Sequence, residues 1–212
     1  MQQISMKNVW CILKTNFRLA IQNNMFLAIV FLTAIPFVRG TENLDAVRSA
    51  ECLEQFAALI GIFLIVPLAV PEQSKRIWEL VAARRISTWS ILFVRILMAI
   101  FILIILTGLF AGSMILKRCT FPYIRYVAGT VATEMMLGSI GLLAAVLCNS
   151  VVTGYLVSMG YFLFHFLGNV SSESIFYLFS MERENYATKI WLWGFHIFIT
   201  AITLFYEKQK SM

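Results

Sequence analysis

EQSKRIWELVAARRISTWSILFVR, residues 72 to 95, is a charged island between two long apolar runs, and its reading decides how the rest of the chain is threaded. Lys75, Arg76, Arg84 and Arg85 lie within a few residues of the flanking apolar segments, and such basic clusters stay on the cytoplasmic side of a membrane. Ile77, Trp78, Leu80 and Val81 recur at helical spacing on one side. Glu72 and Arg76 stand four apart with the acid first, the favourable order for an ion pair on a helix. The island therefore reads as a cytoplasmic connector holding a short amphipathic helix, with Ser87 or Thr88 available to cap the next helix.

Composition supports a membrane setting for that connector. Hydrophobic residues make up 60% of the 212, charged residues only 13%, and the mean hydropathy is +0.81. Soluble chains average about a quarter charged. The length accommodates roughly six spans of about 20 residues with short loops and no additional soluble domain. The bases are dispersed at span ends, so the net charge of +6 reads as attraction to lipid headgroups, and nucleic acid is not an expected partner. No phosphate-binding loop of the Gly-x4-Gly-Lys-Ser/Thr type is present, so no nucleotide or other cofactor is expected on this chain.

The expected architecture is an all-α membrane protein in a single domain over 1–212. An amphipathic helix over about 5–22 places Trp10, Leu13, Phe17 and Ile21 on one face and Lys7, Lys14 and Arg18 on the other, as in a helix lying in the headgroup layer. This start lacks the features of a cleavable signal peptide. Six spans are expected over about 24–38, 55–71, 90–116, 126–147, 151–168 and 190–205, with both termini cytoplasmic. The first is short and contains Pro36. Arg39 to Glu54 is predicted to be an acidic outer loop, and Arg95 to snorkel toward the cytoplasmic interface. Lys117, Arg118 and Arg125 make a basic outer loop that runs against the positive-inside tendency. The fourth span carries Gly129, Thr130, Thr133, Gly138, Ser139 and Gly141, small groups that favour an interior position. The polar segment over 169–189 holds an apolar run, Ile175 to Phe179, too short to cross. Trp191 and Trp193 read as an interfacial anchor at the outer end of the last span.

The connector also resembles one found in a known family. Glu72, then Glu79-Leu80 seven residues on, Ser87, and Arg95 inside the third span match the register of the cytoplasmic connector in ATP-binding-cassette (ABC) export permeases of type 2. Arg76-Ile77 stands where that family has a small Gly-Thr pair, and Arg85-Ile86 where it has a Pro before the Ser. The resemblance implies a coupling helix over about 72–86 that docks on a separate ATPase subunit through Glu72, Lys75, Arg76, Glu79, Arg84 and Arg85. It further implies an elbow helix before the first span and a short re-entrant outer segment between the fifth and sixth. It implies a permease working as a homodimer or with a sister permease, in a cell membrane among lipids, with ATP and Mg held by the partner subunit and no enzyme activity on this chain. Other classes of reading are a non-transporting immunity or sensor module and an ATP-independent carrier.

Glu134, His165 and His196 are the ionisable residues expected well inside spans, where such groups are costly enough to be functional candidates. Three groups on three helices suit a metal site or a proton path; a carboxyl and two imidazoles bonded to local polar groups is the plainer reading. His165-x3-Asn169 is similar to one motif of the CAAX-protease membrane peptidases, whose Glu-Glu-x3-Arg motif is missing here, so no catalytic residue is assigned. Cys11, Cys52, Cys119 and Cys148 show no metal or redox spacing and read as small apolar residues, with a Cys52–Cys119 disulfide at the outer side as the alternative.

Overall fold

A computed structural model describes residues 17–69, 88–168, 170, 174–183 and 185–210. The predicted coupling helix over 72–86 lies outside the described residues, as does most of the interfacial helix over 5–22. Six helical runs make up the described chain: α1 (Gln22–Arg39), entered through a π turn at Phe17–Ile21, α2 (Ala46–Ala69), α3 (Thr88–Leu116), α4 (Tyr123–Leu147), α5 (Val151–Phe166) and α6 (Ala187–Lys210). Five of them are long and apolar enough to cross a membrane, as in a multi-pass membrane protein. The sixth, α5, has 16 residues and is about 24 Å long, short of the roughly 30 Å hydrocarbon layer.

The helices alternate in direction. At one end, the loops over 40–45 and 117–122 bond to each other, Asn43 N–H to the Lys117 carbonyl at 3.0 Å and Thr120 N–H to the Leu44 carbonyl at 3.1 Å. This loop end also receives the turn Met181–Arg183, which packs on the start of α2. At the opposite end, Lys210 Nζ donates to Asn149 Oδ1 at 3.4 Å, joining the end of α6 to the tight turn between α4 and α5. Asn149 takes a positive φ of 49° in that turn, and Ser150 caps α5 by accepting from Thr153 N–H.

α2 and α4 form the axis of the bundle. The most apolar windows of both are 78% buried, against 17% for α1 and 28% for α6. Phe37, Leu116 and Ile124 stand almost fully exposed, and the outward faces of α1, α3 and α6 are apolar along their length. Aqueous proteins do not expose continuous apolar surface on this scale, whereas lipid solvates it. Glycine brings the axis together: a Cβ on Gly61 of α2 would run into the Glu134 backbone of α4, and one on Gly154 of α5 would lie 2.5 Å from the Gly141 carbonyl. Close backbone approach is a main source of helix association in lipid.

α2 departs from the expected boundaries. It begins at Ala46, where Asp45 accepts from Arg48 N–H as its cap, so Arg39 to Glu54 is a loop only over 40–45. The acidic residues misled the sequence reading because one of them, Glu54, is buried and paired inside the bundle. α2 is also irregular: a π turn at Cys52–Phe56, a 3-10 turn at Ala57–Leu59, an α stretch at Ile60–Ile65 and a second 3-10 turn at Val66–Ala69 around Pro67. Arg95 does not snorkel. It is buried on α3 and donates to the Leu68 carbonyl at 3.1 Å, one of the last carbonyls of α2, the kind of group a helix end offers to an outside donor.

The cysteine alternative also resolves. Cys52 and Cys119 are buried as free thiols, and Cys119 Sγ donates to the Thr41 carbonyl at 3.4 Å. The segment Ile175 to Phe179 is not helical; it runs through turns, and only Met181–Arg183 forms a 3-10 turn.

Candidate functional site

The densest polar chemistry within the bundle lies near the loop end, around Glu54. The π turn at Cys52–Phe56 adds a residue to the local repeat and turns this carboxylate inward; such bulges recur at functional sites. Glu54 has no exposed surface and forms an ion pair with Lys189 of α6, itself buried. Lys189 Nζ donates also to Thr133 Oγ1 of α4 at 2.7 Å and to the Leu178 carbonyl at 2.5 Å. Both Glu54 oxygens accept from Met181 N–H at 3.2 Å. Four separate pieces of chain, α2, α4, α6 and the 174–183 segment, thus meet on one charge pair. Gly129 clears the space above it, because any side chain there would collide with Met181 Sδ. A charge pair in such surroundings is held by its hydrogen bonds as much as by attraction, and losing either partner leaves the other stranded.

Beside the pair, the 174–183 segment covers an aromatic face. Tyr161 Oη donates to the Phe176 carbonyl at 3.2 Å, the His165 and Tyr177 rings lie 6.1 Å apart, and Phe162 meets Phe179 edge-on at 5.7 Å. Burial, then the Glu182 carboxylate, raise the Tyr177 phenol above its ordinary range against the opposing charge of Arg183. The phenol stays neutral at physiological pH.

Glu134, His165 and His196 are all buried, yet the fold gives them separate partners. Glu134 accepts from Thr107 Oγ1 of α3 at 2.6 Å through one oxygen, and its other oxygen has no hydrogen-bond partner among the described residues. His196 Nδ1 sits 3.1 Å from the Met135 carbonyl, an acceptor, which makes Nδ1 the protonated nitrogen. His165 lies at the end of α5 against Tyr161, with its Nδ1 unpartnered among the described residues. No hydrogen bond joins any two of the three, and no group of three His, Cys, Asp or Glu able to hold a metal occurs among the described residues. Glu72, Lys75, Arg76, Glu79, Arg84 and Arg85 lie outside the described residues.

No family model, curated protein or solved structure matches this chain. The site is accordingly read from its own chemistry. Glu54 and Lys189 escaped the sequence reading because each stands at a predicted span boundary, where charge is ordinary. The available signal was an acid and a base at the same predicted end of two different spans.

A second network lies at the loop end. Arg39 pairs with Glu51, reaches Gln55 Oε1 at 3.3 Å and lies over the Phe56 ring at 5.3 Å. Lys117 donates to Thr41 Oγ1 at 3.1 Å and lies 3.8 Å from Glu42. These half-exposed contacts knit the loops and contribute little energy each.

Proposed function

We propose that this chain is the membrane permease subunit of an ATP-driven exporter of the type 2 ABC kind, with both termini and the 70–87 connector in the cytoplasm of a cell-membrane-embedded bundle. The observation that carries the reading is the tie between the two roots of the connector. Arg95, just inside α3, holds the Leu68 carbonyl at the end of α2, so the helices on either side of the connector are bonded where it leaves the bundle. α2 is in turn half of the buried axis. A push on the connector would reach the axis through this tie as a rigid-body movement.

The order of the helices is in keeping with this reading. α5 and α6 are separated by the polar segment at the loop end, on the side away from the connector, where a re-entrant outer element would sit. The bases Lys75, Arg76, Arg84, Arg85, Lys208 and Lys210 fall near the opposite end in sequence, which favours that end as cytoplasmic. Two such chains, or one with a sister permease, would enclose the pathway, and two ATPase chains would bind below through Glu72, Lys75, Arg76, Glu79, Arg84 and Arg85. The catalytic work, with ATP and Mg, would belong to those partners.

Purification in mild detergent is expected to bring down a chain carrying a phosphate-binding loop, and the complex to hydrolyse ATP faster than that chain alone. Deleting 73–85 while keeping the spans is expected to abolish the stimulation; stimulation that survives the deletion refutes the mechanism. One observation favours a second reading, an ATP-independent carrier: the unpartnered oxygen of buried Glu134. In that case the chain alone in liposomes would take up protons, and Glu134→Gln would stop the uptake.

A further inference from the structure

We propose that the Glu54–Lys189 pair is a latch that holds the 174–183 segment shut over the aromatic end of α5, and that breaking the pair lifts this segment without unfolding the bundle. The inference stands apart from the ATPase reading, since it concerns only the loop end.

Both charges bond directly to the backbone of the segment. Met181 N–H donates to both Glu54 oxygens, and the Leu178 carbonyl accepts from Lys189 Nζ. No other stretch of the loop end is fastened to a buried charge pair in this way among the described residues. The segment also meets the bundle through ring contacts, the phenol bond from Tyr161 Oη to the Phe176 carbonyl, and the packing of Met181–Arg183 on the start of α2. Ile175 and Phe176 are exposed, whereas Leu178, Phe179, Ser180 and Met181 are buried, so its latched half is the half under cover.

The seat is also incompletely satisfied. Ser180 Oγ within the segment and His165 Nδ1 beneath it are buried without hydrogen-bond partners among the described residues, and Ser49 Oγ is in the same state on the stretch of α2 against which Met181–Arg183 packs. Each such group costs free energy while covered and regains water when uncovered. These groups favour lifting, and the charge pair opposes it. The resulting two-state element would expose Tyr161, Phe162 and His165, a face of aromatic rings with one imidazole.

The test uses Ser180→Cys as a reporter, a near-isosteric change at a buried position, in the full chain in native membranes. N-ethylmaleimide labelling is read peptide by peptide, so exposed Cys148 reports reagent access and buried Cys52 and Cys119 report opening of the bundle. Ser180→Cys alone is expected to label slowly. Adding Glu54→Gln with Lys189→Met removes both charges and is expected to raise labelling at 180 by about tenfold or more, since a charge-assisted hydrogen bond is worth at least that factor in an opening equilibrium. Cys52 and Cys119 stay slow in this outcome. Unchanged labelling at 180 would mean that Leu178, Phe179 and Met181 hold the segment by apolar packing, which overturns the latch. Labelling of Cys52 in step with position 180 would mean that the pair holds the whole bundle, which overturns it as well.

Discussion

Two regions of this bundle bring α2 against α4 by opposite means. Near the loop end, Glu54 reaches α4 through Lys189 and Thr133, so the helices are joined by a charge pair and its hydrogen bonds. Half-way down, Gly61 lies on the Glu134 backbone and Gly138 on Ile65, with no polar bond between the two helices at these contacts among the described residues. The first closure depends on two ionised groups remaining together, and the second on side chains being absent. A charge pair can be exchanged for water or for another ligand, whereas a glycine contact has no alternative partner. The lower crossing is therefore the fixed part of the molecule, and the loop end the part that can change.

The largest effect should follow from Lys189→Met, which leaves the Glu54 carboxylate with backbone N–H donors but no counter-charge among the described residues. Loss of about 3–5 kcal/mol is expected from denaturant midpoints in mild detergent. The double change Glu54→Gln/Lys189→Met should recover much of that loss, because no charge is left buried alone. If the single and double variants lose equally, the pair is not a closed charge site. Next comes Gly61→Val, with an expected cost of about 1–3 kcal/mol from overpacking against the α4 backbone. Gly112→Ala serves as its control: nothing lies within 4 Å of a Cβ there, and an equal loss at 112 would contradict the tight crossing. The smallest effect is expected from Arg39→Gln. Its partly exposed pair with Glu51 is worth about 0.2–1 kcal/mol and should vanish in high salt; a salt-independent loss would move this network into the buried class.

How far the sequence discloses this arrangement depends on the residue. Hydropathy suffices to find the helical runs, because a lipid-facing helix such as α3 must be apolar almost throughout. The small residues of α4, Gly129, Gly138 and Gly141, point to its interior position for a steric reason that is local to them. Glu54 shows where such reading stops. A lone acid within the apolar run that begins at Phe56 would be conspicuous, but Glu54 follows Glu51 and precedes Gln55, and polarity there looks like a loop. Its burial depends on Lys189, near the far end of the chain, and no local pattern encodes that meeting. The place of Arg95 is hidden for the same reason: its acceptor is a carbonyl at the end of another helix. Glu134, His165 and His196 stand out because charge inside an apolar run is visible without knowing the partner, whereas their separate partners, Thr107, Tyr161 and Met135, follow only from the packing.

The account rests on the loop end facing outward and the connector facing the cytoplasm, and side-specific labelling in intact cells tests this most directly. Thr120→Cys, in the loop between α3 and α4, and Ser74→Cys, in the connector, are each treated with a membrane-impermeant maleimide and read at their own peptides. The account predicts that position 120 labels from outside and position 74 only after the membrane is permeabilised. Labelling of position 74 from outside, or of both positions from the same side, would contradict it.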